Sequence, residues 1–249
     1  MSRDNNFYDE VLPLEVSSIQ SRLQAVESRI QTAVQRACRE RSEITLVAVT
    51  KKFSATRIRE AYQAGLRIFG ENYVQEFADK RPAVADLSEA RFHLIGHLQA
   101  NKARAAAELF DVIQTVDSPK LLERIESAAA ARGTRLEVLL EIKLSDEESK
   151  SGARPDEIPA LLEVGARCSH LQLTGLMTMP PWSEDAEQSR PYFKRLRALA
   201  SEYRLPKLSM GMSNDFEVAI EEGATIIRVG TALFGARPKP LAGEIIVPA

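Results

Sequence analysis

The sequence predicts an α/β fold, a single (β/α)8 TIM barrel with an extra N-terminal helix. Two observations predict it. Eight short apolar runs alternate with amphipathic patterns along the chain, which implies parallel strands joined by helical crossovers. No Pro/Gly/Ser linker, short-period repeat or low-complexity stretch divides the 249 residues, a length that one α/β barrel commonly fills. A doubly wound open sheet is the alternative.

Residues 1–15 read as a polar, acidic arm and 16–249 as one domain. From Val16 to Arg41, the residues Ile19, Leu23, Val26, Ile30, Val34 and Ala37 recur at threes and fours, which predicts an amphipathic helix. Leu46–Lys52 is the first strand, a continuous apolar run that ends in two amines. Ser54 is placed to cap a helix over Ala55–Ala64, which Gly65 stops. The strand Arg67–Phe69 and a helix from Tyr73 to Lys80 follow, then the strand Phe92–Ile95 and a helix from about Gln99. Val112–Val116 is the fourth strand, with Ser118-Pro119 opening a helix to Ala131. Leu136–Ile142 is the fifth, and a charged loop over Ser145–Gly152 leads to a helix over Asp156–Val164. Leu171–Met177 precedes a long helix from Glu184 to Tyr203. Lys207–Ser209 and Thr225–Val229 are the last strands, with a helix over Asp215–Glu222 between them.

Thirty-three basic residues nearly balance thirty-five acidic ones, so no global field favours nucleic acid or an anionic membrane. The apolar content of 44% and charged content of 27% suit a globular protein rather than a disordered one. No apolar stretch reaches the roughly 18 residues that span a bilayer, and Met1–Glu10 lacks the apolar core of a secretory signal. Cys38 and Cys168 are far apart, which fits a reducing compartment and no disulfide framework. A cytoplasmic protein is expected.

Side chains alternate along a strand, so Val47, Val49 and Lys51 share one face, and Leu46, Ala48, Thr50 and Lys52 the other. An amine forced toward the end of a buried strand is poorly solvated when charged. Its pKa is expected to fall, leaving a free amine for attack on a carbonyl. The plainer reading is a lysine that snorkels to water. In a barrel, active sites form at the C-terminal ends of the strands, and phosphate commonly binds after strands seven and eight. Ser209-Met210-Gly211-Met212-Ser213-Asn214-Asp215 and Arg228-Val229-Gly230-Thr231-Ala232 occupy those positions. Both offer main-chain N–H groups and hydroxyls near helix starts, which suit a phosphate dianion. Glycine and serine also simply make turns and caps. An amine, a phosphate cup and Arg228 together suit an aldehyde-bearing phosphate ester, of which pyridoxal 5′-phosphate (PLP) is the obvious example.

Several blocks carry a resemblance. They are Leu46–Lys51, Phe69–Glu76, Phe92–Lys102, Ser149–Gly152, Gly175–Met179 and Ser209–Asp215, ending in Arg228–Gly235. In this order they resemble the pyridoxal phosphate homeostasis proteins (YggS/PROSC-like), which are similar in fold to the N-terminal barrel of alanine racemases. The resemblance covers nearly everything after about residue 16. It implies that Lys51 holds PLP as a Schiff base, and that Ser213, Gly230 and Thr231 hold its phosphate. It further implies that Arg228 faces the pyridine nitrogen, that Asn72 lies near the phenolic oxygen, and that Met177 and Met210 pack close to ring or phosphate. One departure matters: members usually read Lys-x-Lys-Pro after the strand, and here the run is Lys51-Lys52-Phe53-Ser54. The spacing aligns Lys51 with the Schiff-base lysine and leaves Lys52 as its rival.

The implied role is to buffer or deliver PLP in vitamin B6 and amino-acid homeostasis, without robust turnover. PLP-dependent apo-enzymes would be the recipients, and the protein a monomer or weak dimer. Enzymes that use PLP as an electron sink usually set a carboxylate at the pyridine nitrogen, whereas a guanidinium opposes protonation there. Two-base racemisation needs a tyrosine from a second, β-rich domain, and only Leu241–Ala249 follows the last motif. Tyr62, Tyr73, Tyr192 and Tyr203 fall on expected helices, where packing is the natural role. A PLP-dependent, alanine-racemase-like amino-acid racemase is the second reading, and a lysine-imine enzyme acting on a sugar phosphate the third. His93 and His97 straddle a strand end and read as structural or ligand-contacting rather than as a metal pair, and His170 as structural. Asp146, Glu147 and Glu148 read as a solvated loop, Lys150 as a surface or ligand-facing residue, and Trp182 as packing at the barrel mouth.

Overall fold

Thr45–Val49 (β1) pairs in parallel with Ile68–Glu71 (β2) on one side and with Ile226–Val229 (β8) on the other. Arg91–Leu94 (β3), Val112–Val116 (β4), Leu136–Glu141 (β5), Leu171–Met177 (β6) and Lys207–Met212 (β7) complete the sheet, each parallel to its predecessor. The order β1 to β8 closes on itself, giving the expected (β/α)8 barrel. The structure is a computed structural model that describes residues 18–145, 147 and 151–236. The expected arm over 1–15, Asp146, Glu148, Lys150 and the chain past residue 236 lie outside the described residues.

The N-terminal helix α1 (Ile19–Arg36) starts at Ser18, whose hydroxyl accepts the N–H of Ser21 at 3.1 Å. Ile19, Val26, Ile30, Ala33 and Val34 form its buried stripe. The helix stops short of the expected Arg41, because Cys38 turns left-handed (φ 52°) and the Arg39 guanidinium caps the carbonyls of Ile220 and Ala224. The crossover helices are α2 (Ala55–Gln63), α3 (Val74–Lys80), α4 (Ala103–Leu109), α5 (Pro119–Arg132), α6 (Ile158–Arg167), α7 (Arg190–Glu202) and α8 (Phe216–Glu221). A short α9 (Thr231–Phe234) follows β8. Ser54 takes the capping position of α2 with extended backbone, but its side chain makes no capping bond. The expected long helix from Glu184 begins only at Arg190, after a turn of 3-10 helix over Ala186–Ser189. Among the described residues, no helix is long and apolar enough to cross a membrane.

Alternation sorts the strands into two apolar layers. Val47, Val112, Leu139 and Ile226 meet inside the barrel. Leu46, Ala48, Val138, Leu140 and Ile227 face outward into the larger core shared with the helices. Phe69, Phe92, Phe77 and Phe110 form a chain of ring contacts in that order, the first pair stacked and the others tilted, with neighbouring centroids 4.5–5.6 Å apart. Burying each such ring contributes roughly 1.5–3 kcal/mol.

One irregularity re-aims the site. β7 runs three residues past the expected Ser209, and its register against β8 shifts between Ser209 and Met212. Gly211 sits in that shift at φ 92°, where a Cβ would lie 2.5 Å from the Ala219 Cβ. Only glycine lets the strand kink this close to α8.

Candidate functional site

At the C-terminal ends of the strands lies a cavity of about 640 Å³. Val49 enters it from β1 and Lys51 from the turn after it, Asn72 from just after β2, Ile95 from just after β3, Arg228 from β8 and Gly230 from just after β8. Met212, Ser213, Asn214 and Asp215 wall it on the β7 side, with Thr231 and Ala232 from α9, while Met179, Pro181 and Trp182 form part of the rim. Val47 lies inside the barrel, so alternation carries Val49 and Lys51 to the same side. Lys52 is exposed and does not line the cavity.

Two main-chain donors converge on one hydroxyl. The Gly230 and Ala232 N–H groups both point at Ser213 Oγ, 3.3 Å away in each case. Ser213 is held from behind by Arg29 of α1, which donates to its carbonyl at 3.1 Å. The same guanidinium pairs with both carboxylate oxygens of Glu217 (2.6 and 2.9 Å) and stacks 4.3 Å over the Phe216 ring. Asp215 closes the loop, accepting the Met212 N–H and the Ser189 hydroxyl at 2.7 Å each. This cluster of small polar groups and oriented amides can cradle an anion.

Arg228 forms the floor. It is 3% exposed; Nη1 donates to Ser209 Oγ at 2.6 Å and Nη2 to the Thr178 carbonyl at 2.9 Å. Burial pushes the guanidinium down to about 10, while Asp215 and Glu141 pull it back up, so it is charged at neutral pH. Ser209 Oγ in turn donates to Gln114 Oε1 at 2.6 Å, and Gln114 Nε2 reaches His93 Nδ1 at 2.8 Å. A continuous buried chain therefore runs from the cavity floor to the imidazole. Burial pushes His93 down to about 4, with Glu137 opposing, so the ring is neutral and accepts at Nδ1. Glu141, at the end of β5, is pushed up to about 7 by burial and by the charge of Asp117, against Arg228. Its Oε2 has no hydrogen-bond partner.

The turn that presents Lys51 rests on α3. Lys80 Nζ donates to both oxygens of the buried Glu71 (3.0 and 3.2 Å) and to the Thr50 carbonyl (3.1 Å). Burial raises Glu71 above the ordinary carboxylate range, opposed by Lys80 and by the Thr50 hydroxyl. Asn72 reaches the cavity because Gly96 lets its backbone pass, since a Cβ on Gly96 would fall 2.3 Å from the Asn72 carbonyl oxygen. Its side-chain oxygen is buried without a partner.

Of the residues singled out in the sequence, Lys51, Asn72, Ser213, Arg228, Gly230 and Thr231 are brought together around this cavity. Met177 and Met210 are not on its wall. Both are fully buried, Met177 beside Glu141 in the β5–β6 pairing and Met210 in the outer core. Met179 and Met212 stand on the wall instead, each two residues on, and the Gly211 kink is what turns Met212 inward. His93 lies inside the barrel, whereas His97 is half exposed, 3.7 Å from Asp117. His170 pairs with Glu126 at 2.9 Å at the far end of β6. Trp182 is at the mouth, 75% exposed. Sequence reasoning missed Gln114, Glu141 and Arg29. Gln114 and Glu141 had a signal, a polar residue within or ending an apolar strand.

The family described as "Alanine racemase, N-terminal domain" matches residues 21–238. A pyridoxal phosphate homeostasis protein of Aquifex aeolicus is 42% identical over 222 residues, which is 87% of this chain and 97% of the relative. One from Pseudomonas aeruginosa is 43% identical over 224 residues, or 89% and 97% of the two chains. The chain belongs to the pyridoxal phosphate homeostasis protein family. Another similar structure is that of PipY of Synechococcus elongatus with PLP bound, at 39% identity and a TM-score of 0.78, covering 88% of this chain and all of that one. An alanine racemase of Clostridium difficile superposes on the homeostasis-family barrel with a TM-score of 0.65 at 13% identity. It covers 88% of this chain and 58% of its own, and it shows the shared fold alone.

Proposed function

We propose that this chain, as one PLP-binding domain over residues 16–249, carries PLP as a Schiff base on Lys51. It buffers or delivers the cofactor in vitamin B6 and amino-acid homeostasis. The observation that carries the reading is the convergence of Lys51, the Ser213–Gly230–Ala232 cluster and Arg228 on one cavity. Membership of a family whose PipY structure holds PLP supports it. The residues fit the group: an amine for the aldehyde, oriented amides and hydroxyls for the phosphate, and the unpartnered Asn72 oxygen marking a place for a polar ring substituent.

When bound, PLP supplies an aldehyde carbon and an electron-withdrawing ring. Ser213, Gly230 and Thr231 would hold the phosphate, and Asn72 would lie near the phenolic oxygen. Arg228 would face the pyridine nitrogen as a fixed cation and would oppose its protonation, which suits carriage rather than robust turnover. The protein acts in the cytoplasm as a monomer or weak dimer, with PLP-dependent apo-enzymes as recipients.

The test is transfer. Loaded protein should reactivate an apo-enzyme in the presence of a scavenger that removes free PLP. It should leave the optical purity of single amino-acid enantiomers unchanged. Racemisation at a substantial rate would instead favour the alanine-racemase-like alternative.

A further inference from the structure

Thr50, Lys51, Lys52 and Phe53 form a tight turn, closed by the Phe53 N–H donating to the Thr50 carbonyl at 3.1 Å. Lys52 is its third residue and lies at φ 63°. Glycine or asparagine usually fills such a position, because a left-handed backbone costs other residues about 1–2 kcal/mol. The conformation needs an outside hold, and α3 supplies one. The Lys52 N–H donates to Glu76 Oε1 at 2.6 Å. Lys80 Nζ donates to the Thr50 carbonyl at 3.1 Å and pairs with Glu76 at 2.6 Å. Lys80 is anchored to Glu71, which also accepts the Thr50 hydroxyl at 2.7 Å.

These contacts fall on the two peptide groups that flank the Lys51 Cα. The peptide before it is held at its oxygen by Lys80, and the peptide after it at its nitrogen by Glu76. With both planes fixed and Lys52 left-handed, the Lys51 side chain goes to the cavity and that of Lys52 to solvent. We propose that Glu76 and Lys80 are positioning residues that hold this turn left-handed and so select Lys51 over Lys52 as the amine presented to the ligand. The inference rests on the reading that the cavity binds PLP through a lysine.

The experiment uses full-length protein loaded with PLP, reduced with borohydride, and mapped by fragmentation mass spectrometry to separate the two adjacent lysines. Absorbance titration gives the affinity. Wild type should be labelled on Lys51 alone. Glu76→Ala should bind PLP about tenfold more weakly, the cost of losing a hydrogen bond to a charged acceptor, and should divide its label between Lys51 and Lys52. Glu76→Gln keeps an acceptor for the Lys52 N–H and should stay near wild type. Glu76→Ala combined with Lys52→Gly should recover affinity to within roughly threefold, since glycine takes positive φ without strain. Lys52→Val leaves the α3 cluster intact and disfavours the left-handed turn, so it should weaken PLP binding if Glu76→Ala proves unstable. Wild-type label on Lys51 with unchanged labelling and affinity in Glu76→Ala, or in Lys52→Val, would overturn the inference alone. Failure of Lys52→Gly to rescue would do the same. Label absent from Lys51 in wild type would overturn both the inference and the reading beneath it.

Discussion

Arg29, on the first helix, donates to the main-chain oxygen of Ser213 at 3.1 Å, although 184 residues separate the two in sequence. Arg29 touches no cavity surface, yet it braces the residue on which the Gly230 and Ala232 amides converge. The expected consequence is selective. Arg29→Met should weaken PLP binding by about three- to tenfold, the scale of one charge-assisted hydrogen bond, while affinity for pyridoxal, which lacks the phosphate, stays the same. Absorbance titration with both aldehydes checks this, and an equal loss for the two would show general loosening instead.

The kink in β7 makes its own prediction. A methyl group on Gly211 would meet the Ala219 Cβ at 2.5 Å and the Phe216 Cα at 2.9 Å, on a backbone at φ 92°. Gly211→Ala should therefore destabilise by at least about 1 kcal/mol and displace Met212 and Ser213. A lowered urea midpoint together with weaker PLP binding is expected. Unchanged values in both would mean that the strand accommodates a Cβ there.

Two buried groups set opposite pH dependences. His93 is held at about 4, below its ordinary 6.5, so its stability contribution is whole above 6.5 and is lost as pH falls toward 4. Glu141 is held at about 7, above its ordinary 4.5, so its contribution is whole below 4.5 and is lost as pH rises through 7. Each amounts to up to about 3 kcal/mol, and the two partly cancel in wild type. Glu141→Gln removes one of them. Its urea midpoint should climb relative to wild type between pH 4.5 and 7, and a pH-independent difference would contradict the assignment.

Much of this was legible because strand alternation is local. The parity of Val47, Val49 and Lys51 pointed to the amine that reaches the cavity, and the glycine-bearing runs after β7 and β8 pointed to its other wall. Strand parity alone would set Met212 on the same outer face as Met210; it lines the cavity because parity breaks at Gly211, where the strand packs against α8. Arg29 was invisible because its partners Ser213 and Glu217 come together only when the barrel closes. The Arg228–Ser209–Gln114–His93 chain crosses three other strands after β8, so no sequence window contains it.

Visible absorbance of two single variants tests the attachment site most directly. With PLP added, Lys52→Ala should show the same Schiff-base band as wild type, and Lys51→Ala should show none. A band that persists in Lys51→Ala, or one that vanishes in Lys52→Ala alone, would contradict the assignment of Lys51.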